Sequence, residues 1–189
     1  NEFTPFLLNQ TLSDLKELHS LGYADMFMSI NLSAVQLKDN ALSEIIDNTL
    51  KKYEIAPEHV DCEITETHAL SKTGVELQTI QNLRDKGVQV SIDDFGSGNA
   101  SFNYVKDMNV HKLKVDRDFV KGLFEKESNQ TIMRTIIDLG HSLNLLVLAE
   151  GIEKPEQEKW LKDNGCDYGQ GFLLSRPLPL PMLISFLRS

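Results

Sequence analysis

Apolar residues in this chain recur at two periods, and the two periods alternate. Phe6, Leu7, Leu8, Leu12, Leu15, Leu18 and Leu21 fall at helical spacing and predict an opening amphipathic helix. Met26–Ile30 reads as a strand that ends at Asn31-Leu32-Ser33, and Asp39–Tyr53 as a helix with Leu42, Ile45, Ile46 and Leu50 on one face. Val60–Ile64 is the next strand, and Gly74–Asp85 the next helix, with Gly87 as its glycine stop. The β-branched run Val88–Ile92 predicts a buried strand that ends in Asp93-Asp94, after which Gly96-Ser97-Gly98 releases the chain into a loop. A short helix near Ala100–Lys106 and a strand over His111–Val115 follow. Asn129–Ser142 predicts a helix whose apolar stripe is Ile132, Ile136, Ile137 and Leu139, and Leu145–Ala149 a strand. Pro155 suits the first turn of a helix that runs to Asp163. A brief strand near Asp167 carries Gln170, and Pro179–Leu187 closes the chain as a helix.

Six short, mostly apolar strands thus alternate with helices, and no Asn-Gly or Asp-Gly hairpin signal separates them. That is the pattern of parallel βα units, an α/β fold. A closed barrel needs eight such units and an open doubly wound sheet five or six, so the pattern alone admits either. The 189 residues suffice for one domain with a full core, and no linker or low-complexity segment divides them.

Charge narrows the function classes. A net charge of −9 argues against a sequence-independent nucleic-acid binder, which needs a basic face. No apolar run approaches the ~20 residues of a membrane span. Cys62 and Cys166 lack any C-x-x-C or Cys/His setting and read as reduced core thiols. The five histidines have no zinc-ligand spacing.

The strand ends carry the chemistry. They present Asn31, Glu63, Asp93 with Asp94, Lys114 with Asp116, Glu150 and Gln170. A polar residue after one strand often only caps the next helix, but a polar group after every strand makes that explanation insufficient for the set. Converging carboxylates repel and raise one another's pKa unless a cation neutralises them. An all-oxygen cluster that includes an amide suits Mg²⁺ or Mn²⁺ rather than zinc. Asp93, flanked by Asp94, could bridge two metals ~3.5–4 Å apart, and a lysine beside them could stabilise developing phosphoryl charge. The residues alone therefore indicate a metal-assisted phosphoester hydrolase. Gly96-Ser97-Gly98 is not a P-loop, and Asp93–Gly98 does not fit a calcium loop. Lys51-Lys52 and Lys154–Lys159 read as solvated helix faces, and Trp160 and Phe119 as packing residues.

Six motifs in order resemble the EAL-domain family: Asn31-Leu32-Ser33 with Gln36, Glu63-Ile64-Thr65-Glu66, Asp93-Asp94-Phe95-Gly96-Ser97-Gly98, Lys114-Val115-Asp116-Arg117, Ala149-Glu150-Gly151-Ile152-Glu153, and Gln170-Gly171-Phe172 followed by Ser175-Arg176-Pro177. The resemblance covers essentially residues 1–189, as one EAL domain. It implies a TIM-like (β/α)8 barrel, here with about six βα units, and hydrolysis of cyclic di-GMP to linear pGpG with two Mg²⁺ or Mn²⁺. Carried over by motif, Asn31, Glu63 and Asp93 would hold the first metal; Asp93, Asp94 and Glu150 would hold the second. Lys114 would assist the nucleophilic water, Gln170 would orient water or substrate, and Asp116 would belong to the same shell. Glu66 would anchor the Gly96, Ser97 and Gly98 loop, while Gln36, Arg117, Glu153 and Pro177 would meet the substrate. The family also implies a homodimer, fusion to sensory or GGDEF domains, no DNA or membrane contact by this domain, and a bacterial cytoplasmic setting, including the cytoplasmic part of a membrane-anchored sensor.

One departure is large. No Glu-Ala-Leu occurs in the chain, and the resemblance puts that motif, with a first-metal ligand and two strands, before Asn1. Two smaller ones are Ser97 in place of the usual threonine and Asn99 in place of an aromatic. The expectation is therefore a phosphodiesterase domain, N-terminally truncated in this chain. The alternative is a catalytically inactive module that binds cyclic di-GMP or a protein partner, and an unrelated barrel hydrolase is the remote third.

Overall fold

The computed structural model describes residues 3–66, 74–97, 105, 108 and 110–189. Six strands, eight α-helices and one 3-10 turn (Pro57–His59) account for the regular structure of those residues. Helix α1 (Phe3–Ser20) leads to strand β1 (Met28–Asn31), then helices α2 (Ala34–Leu37) and α3 (Leu42–Tyr53) and strand β2 (Val60–Thr65). Helix α4 (Gly74–Asp85), strand β3 (Gln89–Phe95), strand β4 (Lys112–Val115) and helix α5 (Arg117–Lys121) come next. Helix α6 (Glu127–Ser142), strand β5 (Leu146–Ala149), helix α7 (Pro155–Asp163), strand β6 (Tyr168–Gly169) and helix α8 (Leu180–Leu187) complete the order. The strands follow one another in sequence order as β1-β2-β3-β4-β5-β6. Every described pairing is parallel. Parallel neighbours need a crossover between them, and helices supply it between β1 and β2, between β4 and β5 and between β5 and β6.

The chain divides into two compact units, Asn1–Ile64 with Ser71–Val90 and Pro179–Ser189, and Thr65–Leu70 with Ser91–Leu178. In the first, α1 packs on α3 and on β1, and α2 and α3 pack on α4. The predicted stripe of α1 holds in its centre: Leu8, Leu12, Leu15 and Leu18 are buried, while Phe6 and Leu21, at its ends, are exposed. In the second unit α6 lies against β5. Its buried face is Met133, Ile136, Ile137 and Gly140, and Ile132 points outward. The sequence stripe was offset by one position there because Gly140, with no side chain, marks the closest approach: a Cβ on it would stand 2.5 Å from Val147 Cγ2. All four residues of β4 are buried, as a parallel strand flanked on both sides should be.

Three elements differ from the sequence expectation. Helices α2 and α5 span four and five residues, too short to show a 3.6-residue period. Strand β3 runs on through Asp93 and Asp94 to Phe95 instead of stopping at Ile92. The helix expected near Ala100–Lys106 falls largely on residues outside the described ones. Cys62 is buried as expected, but Cys166 is only half-buried, its thiol donating to the carbonyls of Val147 and Tyr168. Among the described residues no helix is long and apolar enough to cross a membrane.

Candidate active site

A β-bulge creates the site. Ser91 and Ile92 of β3 pair with Lys112 and Leu113 of β4, and the register then shifts so that Phe95 pairs with Val115. Asp93 and Asp94 together therefore stand opposite the single residue Lys114. In a regular strand successive side chains point to opposite faces. Here Asp94 takes a left-handed backbone (φ 54°), which aspartate tolerates better than most residues, and the bulge re-aims its side chain. Carboxylate oxygens of Asp93, Asp94 and Glu150 consequently lie within 4.8 Å of one another.

Neighbouring strand ends complete the edge. The ladder continues past the strands through Asp116 N–H to Phe95 O (3.3 Å), Glu150 N–H to Val115 O (3.1 Å) and Gln170 N–H to Ala149 O (2.9 Å). These bonds hold Asp116, Glu150 and Gln170 at one level. Lys114, only 4% exposed, rises from β4 among the carboxylates. Its Nζ lies 2.8 Å from Asp93 Oδ1 and 2.8 Å from Glu150 Oε1. One ammonium against three carboxylates leaves the cluster net negative. Partial burial first, then the charges of Asp93 and Asp116, push the Asp94 carboxyl above its ordinary range, while Lys114 and Arg117 pull it down. Clustered hard oxygens with surplus negative charge are the donor set of a hard divalent cation.

The loop after β3 is tied in place. Glu66, 2% exposed, accepts the Gly96 N–H through Oε2 at 2.8 Å. The Ser97 hydroxyl folds back to donate to Asp94 O at 2.8 Å. Gly96 (φ +92°) packs on Phe119, where a Cβ would meet Cε2 at 2.5 Å. Gly98 and Asn99 lie outside the described residues.

The other expected residues occupy distinct places. Asp116 caps α5, its Oδ1 accepting from Asp118 N–H at 2.8 Å. Arg117, Glu150, Glu153 and Gln170 line one cleft of about 190 Å³ with Phe172. Pro177 is exposed beyond that cleft's lining residues. Asn31 and Glu63 belong to the first compact unit, where they are register partners, Asn31 the last residue of β1 and Glu63 two residues before the end of β2. Gln36 spends its amide on a helix cap. Its Oε1 accepts from the Ser33 N–H (2.9 Å) and its Nε2 donates to the Thr4 hydroxyl (3.0 Å). The spacing Ser-x-x-Gln is a capping-box signature, so this use was readable in the sequence. The run Lys154–Lys159, expected as a solvated helix face, is not solvated at Gln157, which is buried because its amide bonds backbone groups of Glu153, Lys154 and Val120.

A family model described as EAL domain matches residues 1–177. Signaling protein YkoW of Bacillus subtilis is 35% identical over 92% of this chain, which covers 22% of that protein. The bifunctional diguanylate cyclase/cyclic di-GMP phosphodiesterase MucR of Pseudomonas aeruginosa is 37% identical over 87% of the chain and 24% of its own length. The chain thus spans under a quarter of the length of either relative. A solved MucR phosphodiesterase in complex with c-di-GMP superposes with a TM-score of 0.90 at 34% identity, covering 96% of this chain and 74% of that one. The EAL-type α/β fold expected from the motifs is the one found, and the chain belongs to the EAL domain family.

Proposed function

We propose that this chain is a cyclic di-GMP phosphodiesterase domain that opens the cyclic dinucleotide to linear pGpG with two Mg²⁺ or Mn²⁺ ions. The observation that carries the reading is the bulge at Asp93-Asp94, which gathers three carboxylates around the Lys114 ammonium. The similarity to MucR, a diguanylate cyclase/cyclic di-GMP phosphodiesterase solved in complex with c-di-GMP, supports the substrate class.

In this reading Asn31, Glu63 and Asp93 would hold one cation, and Asp93, Asp94 and Glu150 would hold the other. When bound, the cations supply positive charge to the phosphate oxygens and lower the pKa of the attacking water. Water adds its oxygen to phosphorus, the bond from phosphorus to the ribose 3′ oxygen breaks, and a proton reaches that leaving oxygen. Lys114 donates N–H to charge that develops during attack, from a buried position where such a donor is worth most. Gln170 orients the water or the substrate from the adjoining strand end. Arg117 and Glu153, on one cleft wall, offer donors and acceptors to the dinucleotide. Glu66 keeps the Gly96–Ser97 turn, and with it Asp94, in place.

The test is conversion of cyclic di-GMP by the full-length protein with Mn²⁺, read by chromatography of the nucleotides. The reading expects pGpG from the wild type and none from Asp93→Asn. Binding without conversion by the wild type would instead make the domain a receptor.

A further inference from the structure

Arg117 and Glu153 reach one cleft from different elements, α5 and the segment after β5, and something must fix the distance between them. Gln157 is 4% exposed on the first turn of α7. Its Oε1 accepts the backbone N–H of Glu153 (2.9 Å) and of Lys154 (2.9 Å). A glutamine at the third helical position commonly reaches back to the cap in this way. The other half of the amide does something further. Nε2 leaves its own helix and donates to Val120 O of α5 at 3.0 Å. Val120 is fully buried in the five-residue helix that Arg117 opens. A second contact closes the loop: Gly151 (φ +74°) packs so tightly on Arg117 that a Cβ there would stand 2.6 Å from Arg117 Cβ.

We infer that Gln157 is a positioning residue that sets the Arg117–Glu153 spacing in the substrate cleft. One planar amide holds the backbone of Glu153 with its oxygen and the helix of Arg117 with its nitrogen. Neither side chain is touched, so the effect falls on where Arg117 and Glu153 stand and not on what they do. The inference rests on the proposed function, in which both residues meet cyclic di-GMP. Asp93 lies on β3, Lys114 on β4 and Glu150 directly after β5, so the chemistry should feel the change far less than substrate binding does.

The experiment measures kcat, KM and melting temperature of the full-length protein with cyclic di-GMP and Mn²⁺. Gln157→Leu removes all three hydrogen bonds at similar volume. Gln157→Glu keeps oxygen acceptors for the Glu153 and Lys154 N–H groups. A misplaced binding pair should raise KM roughly tenfold or more in Gln157→Leu while kcat stays within about threefold. Gln157→Glu keeps the cap but has no N–H for Val120 O, so it should show most of the same KM rise with a smaller fall in melting temperature. If Gln157→Leu does not fold, Gln157→Asn, one methylene too short for both partners, takes its place with the same expected KM rise. An unchanged KM, or losses in kcat that follow melting temperature in both variants, overturns the inference. A wild type that neither cleaves nor binds the dinucleotide overturns the functional reading beneath it, and that result is read without any Gln157 variant.

Discussion

Removing the Lys114 ammonium should make the protein's stability depend on divalent cations. Its Nζ stands 2.8 Å from a carboxylate oxygen of both Asp93 and Glu150. At an effective dielectric near 20, each contact is worth about 6 kcal/mol in gross Coulomb attraction. Most of that offsets the cost of taking the charges out of water, so the net value of the cluster is small. Deletion is not small, because Lys114→Met leaves the carboxylates facing one another uncompensated, at a cost of roughly 3–5 kcal/mol. For a chain of this size that corresponds to a fall in melting temperature of about 6–20 °C. Calorimetry in EDTA measures it. Saturating Mn²⁺ should then restore the variant by more than it stabilises the wild type, since a bound cation at 100 times its Kd adds about 2.7 kcal/mol and the variant site is the more negative. The deficit should also shrink on acidification. Asp94 already has a raised carboxyl pKa, and losing the lysine raises it further. A carboxyl with a raised folded-state pKa costs stability above that pKa and is relieved as pH falls through it. Equal melting temperatures in EDTA, or equal Mn²⁺ shifts in the two proteins, would refute the reasoning.

Three further outcomes follow from local geometry. Gly96→Ala places a Cβ 2.5 Å from Phe119 Cε2 at φ +92°, so it should weaken Mn²⁺ binding in a titration, and adding Phe119→Ala should recover part of the loss. Gly140→Ala improves helix propensity by up to about 1 kcal/mol, yet the clash with Val147 Cγ2 at 2.5 Å should make the net change destabilising. Urea unfolding should show a loss within the usual ~1–3 kcal/mol of overpacking, relieved by Val147→Ala. The Asp47 carboxyl is held below its usual range, chiefly by its hydrogen bond to Lys51 and also by Lys86. Asp47→Asn should therefore cost about 0.5 kcal/mol near neutrality. That difference should disappear as pH falls through the depressed pKa, below about pH 4.

Much of this site was legible because parallel strands deliver their last residues to one edge. Glu150 and Gln170 could be placed from the apolar runs before them, and the structure sets both on the ladder beyond β5 and β6. The bulge was not legible. Two adjacent aspartates on a regular strand would diverge, and nothing in Asp-Asp-Phe-Gly announces that Asp94 adopts a positive φ. Their adjacency at a strand end suggested a shared metal site, but the period-2 rule gave no geometry by which both could reach it. Gln36 carries a second signal: its motif pointed to substrate, and the Ser-x-x-Gln spacing within it also marks the cap of α2 that its amide makes here. Gln157 was hidden inside the charged run Lys154–Lys159, which read as a solvated face, and its bond to Val120 O crosses between helices, where no local spacing reports it.

The central claim is that the Asp93-Asp94 bulge lets adjacent carboxylates serve two cations. Its most direct test is the number of Mn²⁺ ions bound per full-length protein with cyclic di-GMP present, measured by equilibrium dialysis for the wild type, Asp94→Asn and Asp93→Asn. The account predicts two ions in the wild type, one after Asp94→Asn, and loss of both sites' high affinity after Asp93→Asn. A single ion in the wild type, or two ions retained in Asp94→Asn, would contradict it.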